Sequence, residues 1–253
     1  MTKLKPKKSL GQHFLTSKTI AQKIIQTGKI TPQDKILEIG PGSGFLTSEL
    51  LKTKAFILAI EKDNRAIALL KEKFSEEINN GQLVIKEEDI LDFQPEKIRE
   101  FKNGYKLIAN IPYYLTGKII RQFLNSQGPD LAVLLIQKEV ADRITAKNKE
   151  SILSLAIKIY GQAKKITTVK AGNFSPQPKV DSAILLIEKR DKALKIDEEK
   201  LLKIIKQGFE HKRKKLSANL QINPEILKKI GLNENIRAED LKLGDWIQLS
   251  KII

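Results

Sequence analysis

Lys35-Ile36-Leu37-Glu38-Ile39-Gly40-Pro41-Gly42-Ser43-Gly44-Phe45 is the stretch that decides the fold. A short apolar, β-branched run stops at a glycine-rich turn, and a helical pattern starts at Phe45, which is the strand-turn-helix unit of a doubly wound α/β domain. Glycines such as Gly40 and Gly42 let the backbone turn tightly and approach a ligand closely. The dinucleotide fingerprint requires a further glycine at the sixth position counted from Gly40, and Phe45 stands there. A nicotinamide-dependent chemistry therefore loses ground.

Reading outward, strand-like runs at 56–60, 83–86, 105–109 and 132–137 alternate with helical patterns that begin at Thr19, Phe45, Asn64 and Thr116. This rhythm predicts a mostly parallel, Rossmann-like sheet with helices on both faces. Two late strands, 165–170 and 183–188, flank a proline-containing loop at 174–178 and read as a hairpin-like excursion at the sheet edge. From Lys189 the pattern changes. Leu201, Leu202, Ile204, Ile205 and Phe209 keep helical spacing with no strand alternation. The expected division is a domain over 1–188 and a small all-helical domain over 189–253.

Composition narrows the chemistry. The 253-residue chain carries 46 Lys and Arg against 30 Asp and Glu, a net charge of +16 that points to a polyanionic partner. It has no cysteine, which excludes disulfides, thiolate zinc sites and cysteine nucleophiles. Its two histidines, His13 and His211, are too few for a histidine-based metal cluster, so no metal is expected. The longest apolar runs, 55–60 and 131–136, are six residues each, far short of the ~20 that cross a bilayer. With no apolar signal region after the N-terminal lysines, a cytoplasmic protein without membrane contact is expected.

Ligands in such sheets bind beyond the carboxyl ends of the strands. The second strand ends in Glu61, 21 residues beyond Gly40, where an acid can accept ribose hydroxyls. After the third comes Asp89, placed to accept from an adenine amino group while Ile90 packs on the ring. One loop carboxylate is usually just solvated, but three such features at successive strand ends describe a pocket for an adenosine-bearing cofactor. After the fourth strand stands Asn110-Ile111-Pro112-Tyr113. The Asn110 oxygen and the Ile111 carbonyl could accept both N–H bonds of an exocyclic base amine, Pro112 would stiffen the turn, and Tyr113 could stack on the base. Such a set suits methylation of that amine. Phe174 either forms a second face of the base sandwich or anchors its loop in the core. Residues 206–215, with Lys212, Arg213, Lys214 and Lys215 and with Phe209 and Leu216 on one face, read as a basic helix for phosphate contacts. Lys3, Lys5, Lys7 and Lys8 form a basic N-terminal arm.

The ordered set of motifs resembles the ribosomal RNA adenine N6,N6-dimethyltransferase family, specifically its bacterial small-subunit branch. It comprises Gly11-Gln12-His13-Phe14-Leu15, 38–44, Glu61, Asp89, 110–113, Gln137-Lys138-Glu139-Val140, 174–182, 209–220 and 237–241, nearly the whole chain. The resemblance implies a methyltransferase sheet with a helical C-terminal domain and S-adenosyl-L-methionine as methyl donor. The implied substrate is two adjacent adenines in the 3′-terminal hairpin of small-subunit rRNA, within a pre-ribosomal particle, and a monomer is expected. It implies cofactor contacts from His13, Leu15, Gly40, Glu61, Asp89 and Asn110; His13 stands where many relatives have asparagine. Two other readings remain at this point, a large-subunit rRNA methyltransferase and an assembly checkpoint factor whose catalysis is dispensable.

Overall fold

The computed structural model describes residues 4–7, 11–125 and 127–253; Lys3 and Lys8 of the basic arm lie outside the described residues. The strands are β1 (Phe14–Leu15), β2 (Lys35–Ile39), β3 (Phe56–Glu61), β4 (Leu83–Glu87), β5 (Lys106–Asn110), β6 (Leu131–Gln137), β7 (Gly161–Val169), β8 (Phe174–Ser175) and β9 (Ser182–Lys189). Seven of them form one sheet in the order β4-β3-β2-β5-β6-β9-β7. Neighbours from β4 through β6 run parallel, and β9 returns antiparallel to β6.

This order sets where a ligand can bind. After β2 the chain winds outward through β3 and β4, then crosses back to lay β5 on the other side of β2. Between β2 and β5 the winding reverses, and the crevice at that switch point opens beyond the carboxyl ends of the two strands, at Gly40 and Asn110. The central strands are mostly apolar because helices cover both faces: Ile36, Leu37 and Ile39 are buried, as are Leu107, Ile108 and Ala109, with the acid Glu38 buried among them in β2. The helix Phe45–Leu51 buries Leu46, Leu50 and Leu51, and the helix Asn64–Lys73 buries Ala66, Ile67 and Leu70. Asp63 caps the latter, accepting from the Arg65 N–H at 3.2 Å.

The chain divides into two compact units, Met1–Ala141 with Lys164–Lys189, and Asp142–Ala163 with Arg190–Ile253. The second therefore takes up a segment, 142–163, that the sequence reading had assigned to the first domain. The reason is apolar packing. Leu155 and Ile159 of the helix Ile152–Tyr160 share one cluster with Leu201, Ile205, Leu216, Leu241 and the fully buried Trp246. Buried Glu150 adds polar ties, accepting from Ser154 Oγ at 2.8 Å and Lys158 Nζ at 2.5 Å while its N–H donates to the Glu239 carbonyl at 2.7 Å.

A second departure concerns the basic segment. The helix Glu198–Gly208 stops at Gly208 and the next helix is Leu216–Leu220, so Lys212, Arg213, Lys214 and Lys215 lie on an exposed turn between them, not on a helix. Asn219 enforces the break by donating from Nδ2 to the carbonyls of Gly208 at 2.6 Å and His211 at 3.1 Å. Among the described residues no helix is long and apolar enough to cross a membrane.

Candidate active site

The glycine turn after β2 forms the floor. Gly40 continues the ladder through its N–H to the Ile60 carbonyl at 2.9 Å, and it lines the cavity beyond the strand ends. At Gly42, where φ is +55°, a Cβ would stand 2.7 Å from the Phe14 ring, so only glycine lets the N-terminal segment lie over this turn. The Gly42 N–H donates to Glu61 Oε2 at 3.1 Å. Glu61 Oε1 accepts from the Lys62 and Asp63 N–H groups at 2.9 and 3.0 Å. Three backbone donors thus hold the buried Glu61 carboxylate, leaving about one of its four lone-pair sites. Two hydroxyls can be held there only if one of these three N–H groups gives way.

At the end of β4, Asp89 Oδ1 accepts from the Leu91 N–H at 3.0 Å and Oδ2 from Lys62 Nζ at 3.2 Å. These two bonds, the backbone one foremost, hold its carboxyl below the ordinary range. Ile90 lies beside it, 6% exposed, in the same cavity lining. On the far side of Glu61, Asp63 takes Arg65 at 2.6 Å and Gln12 at 3.2 Å, and its carboxyl is lowered to about 2, chiefly by the guanidinium.

Asn110, the last residue of β5, donates from Nδ2 to the His13 carbonyl at 2.9 Å. That bond fixes the orientation of the carboxamide and leaves Oδ1 as an acceptor at the cavity that Asn110 lines. Pro112 follows at φ −53°, and Tyr113 places its hydroxyl 2.9 Å from Ser182 Oγ. Burial raises the Tyr113 hydroxyl above its ordinary pKa. The Tyr113 ring stacks on the His13 ring with centroids 5.8 Å apart, and His13 Nδ1–H donates to the Pro176 carbonyl at 2.7 Å. His13 therefore meets Asn110 through its backbone and Tyr113 through its ring.

The structure thus brings His13, Gly40, Gly42, Glu61, Asp89, Asn110, Pro112 and Tyr113 around one cavity. Leu15 is buried and lines a smaller adjoining cavity with Glu38, Gly40 and Asn110. Phe174 departs from the base-sandwich expectation. Its side chain is 5% exposed within the core cluster, its backbone pairs with Leu15 in the β1–β8 ladder, and it is absent from the cavity lining. Here it anchors its loop.

One residue escaped the sequence reading. Glu38 is fully buried at the end of β2 and lines the smaller cavity, with Oε2 unpartnered. Loss of solvation raises its carboxyl to about 8; the Glu61 charge adds to this, and Thr47 and Lys73 oppose it. The available signal was an acid inside an otherwise apolar strand that had to be covered on both faces.

Known proteins resemble this chain in sequence and in fold. Residues 3–253 match the family model described as ribosomal RNA adenine dimethylase. A Fusobacterium nucleatum protein named ribosomal RNA small subunit methyltransferase A is 40% identical, with 98% of this chain and 97% of that protein covered. A protein of the same name from Dehalococcoides mccartyi is 37% identical over 97% of this chain and 88% of its own length. Among solved structures, a dimethyladenosine transferase from Plasmodium falciparum superposes with a TM-score of 0.80 at 26% identity, covering 94% of this chain and 96% of that one. The 23S rRNA methyltransferase ErmE, at 23% identity, 94% and 98% coverage and a TM-score of 0.74, shares the fold. The Rossmann-like methyltransferase sheet and C-terminal helices expected from sequence are therefore present, and the chain belongs to the ribosomal RNA adenine dimethylase family.

Proposed function

We propose that this chain transfers methyl groups from S-adenosyl-L-methionine to the N6 amine of adenine in small-subunit rRNA, dimethylating two adjacent adenines of the 3′-terminal hairpin in a pre-ribosomal particle. The observation that carries this reading is the Asn110 carboxamide, turned by the His13 carbonyl so that its oxygen stays free beside Tyr113.

The residues present fit the cofactor. A Cβ added at Gly40 would meet nothing within 4 Å, so this glycine leaves open a cradle that a side chain would fill. Glu61 and Asp89 offer anionic acceptors for ribose hydroxyls and an adenine amino group, Ile90 an apolar surface for the ring, and the His13 to Leu15 segment a wall. When bound, the cofactor supplies an electrophilic methyl on a sulfonium.

The chain's own task is to make a poor nucleophile reactive. The amine lone pair of adenine is delocalised into the ring. With the two N–H bonds accepted by Asn110 Oδ1 and the Ile111 carbonyl, a pyramidal nitrogen with a directed lone pair is favoured. Tyr113 offers the ring face turned away from His13 to the base, and Pro112 holds the turn in place. No strong general base is needed, since the amine proton becomes acidic only after attack.

RNA affinity is assigned to Lys7 and Lys8 of the arm and to Lys212, Arg213, Lys214 and Lys215 of the helical unit, in a chain whose net charge is +16. Mass spectrometry of small- and large-subunit rRNA from cells lacking this protein tests the proposal. Loss of N6,N6-dimethyladenine from the small-subunit hairpin, restored by the purified protein with cofactor, is expected. Intact small-subunit methylation, or loss confined to the large subunit, refutes it.

A further inference from the structure

We propose that Tyr114 is a second stacking platform, receiving the base next to the target adenine in the substrate strand; this rests on the reading of the site as an RNA adenine methyltransferase.

Four large apolar side chains stand exposed among the described residues, Val84, Tyr114, Val180 and Ile252. Of these, Tyr114 alone is aromatic and alone lines the cavity that holds Asn110 and Tyr113. Its 54% exposure comes from a stiff turn. The Leu115 N–H closes on the Pro112 carbonyl at 2.9 Å, and Leu115 and Thr116 are 7% and 2% exposed, so the backbone on the helix side is seated in the core. On its other side Tyr113 is held by Ser182 and His13. Between these anchors the Tyr114 ring rests against Gly11, where an added Cβ would lie 3.3 Å from Cδ1 and Cε1. The ring is thus positioned but not consumed by the core.

Its neighbour has little to spare. Tyr113 gives one ring face to His13 and retains one, enough for one base. When a strand turns one base toward a pocket, that base leaves its stack and the flanking base loses a partner. An aromatic face close by recovers that stacking for any base, because every base has a π-face. Tyr114 is the next residue along the chain and lines the same opening. Lys62 lines it too, but its ammonium is already paired with Asp89 at 3.2 Å, so the stacking face of Tyr114 carries the inference.

The test uses the full-length protein and an RNA hairpin containing the target adenines, with fluorescent 2-aminopurine substituted on the 5′ or 3′ flank in turn. Wild type and Tyr114→Phe should quench the probe on one flank. Tyr114→Ala, and Tyr114→Leu, which keeps bulk against Gly11, should relieve the quench and raise the apparent KM for RNA by about 5- to 100-fold. Their affinity for S-adenosylhomocysteine by calorimetry should stay at the wild-type level, which also reports folding. Wild-type quenching and KM in Tyr114→Leu overturn the proposal, as does the absence of quenching on either flank in wild type that methylates the hairpin. A wild-type protein that methylates neither the hairpin nor small-subunit particles removes the enzymatic reading itself, and this inference with it.

Discussion

Replacing Glu38 by glutamine should stabilise the protein at neutral pH, an unusual direction for a substitution beside a binding site. The folded carboxyl titrates at about 8 against an ordinary value of 4.5. Between those values the native state keeps a proton that the unfolded chain releases, so stability falls as pH rises across the window and levels off above it. At 1.36 kcal/mol per pH unit, the fall between pH 5 and 7 amounts to about 2–3 kcal/mol. Glutamine has nearly the same shape and never ionises. Its stability should not decline in this range, and its melting temperature should exceed wild type by roughly 5–10 °C at pH 7.5, with the curves converging near pH 4.5. Circular dichroism is the suitable probe, because the single tryptophan, Trp246, belongs to the other unit. Parallel stability curves for the two proteins from pH 5 to 8 would show that Glu38 is ionised in the fold, and the argument from burial would fail.

Asn110→Ala should reduce the single-turnover methylation rate by about 100-fold or more while cofactor affinity by calorimetry changes little, since its free oxygen is assigned to the substrate amine; near-normal turnover would mean that another group orients the amine. Gly208→Ala places a Cβ 2.4 Å from Trp246 Cη2, so a loss of about 1–3 kcal/mol is expected in denaturant unfolding followed by tryptophan fluorescence; unchanged midpoints would show that the indole can shift. Neutralising Lys212, Arg213, Lys214 and Lys215 together should lower the slope of log affinity for RNA against log salt by about 0.7 per lost contact, without altering cofactor affinity. An unchanged slope would make this turn an ordinary solvated surface.

Much of the sheet was legible because strands covered on both faces read as short, nearly continuous apolar runs, as 56–60 and 132–136 do. The site followed from topology, since Glu61 and Asn110 end their strands, Asp89 follows two residues after β4, and ends on one side of a parallel sheet converge. What could not be read depended on partners distant in sequence. The two-residue ladder of Phe14–Leu15 with Phe174–Ser175 has no periodicity to detect, and it decides that Phe174 faces the core. The helical reading of 206–215 failed because Leu216 kept a plausible spacing from Phe209, while the break comes from Asn219, whose side chain bonds carbonyls eight and eleven residues earlier. Helix Ile152–Tyr160 is not among the elements that the sequence pattern predicts, and its membership of the second unit rests on partners such as Leu201 and Trp246 that lie far along the chain.

The closure of the N-terminal segment over the glycine turn has a consequence in time. Asn110 obtains its partner 97 residues upstream, and His13 obtains Pro176 163 residues downstream. At about 5–20 residues per second, a translating ribosome leaves the first of these segments without its last for roughly 10–30 seconds. Through that interval Phe14 and Leu15 are apolar side chains awaiting cover, open to chaperone capture. The central strands can pair as they emerge, but the wall beside Asn110 cannot be completed until residues 173–176 are made. A nascent chain arrested before that point should carry only the five parallel strands β2 to β6, without β9 to join β7 to them, and an incompetent site.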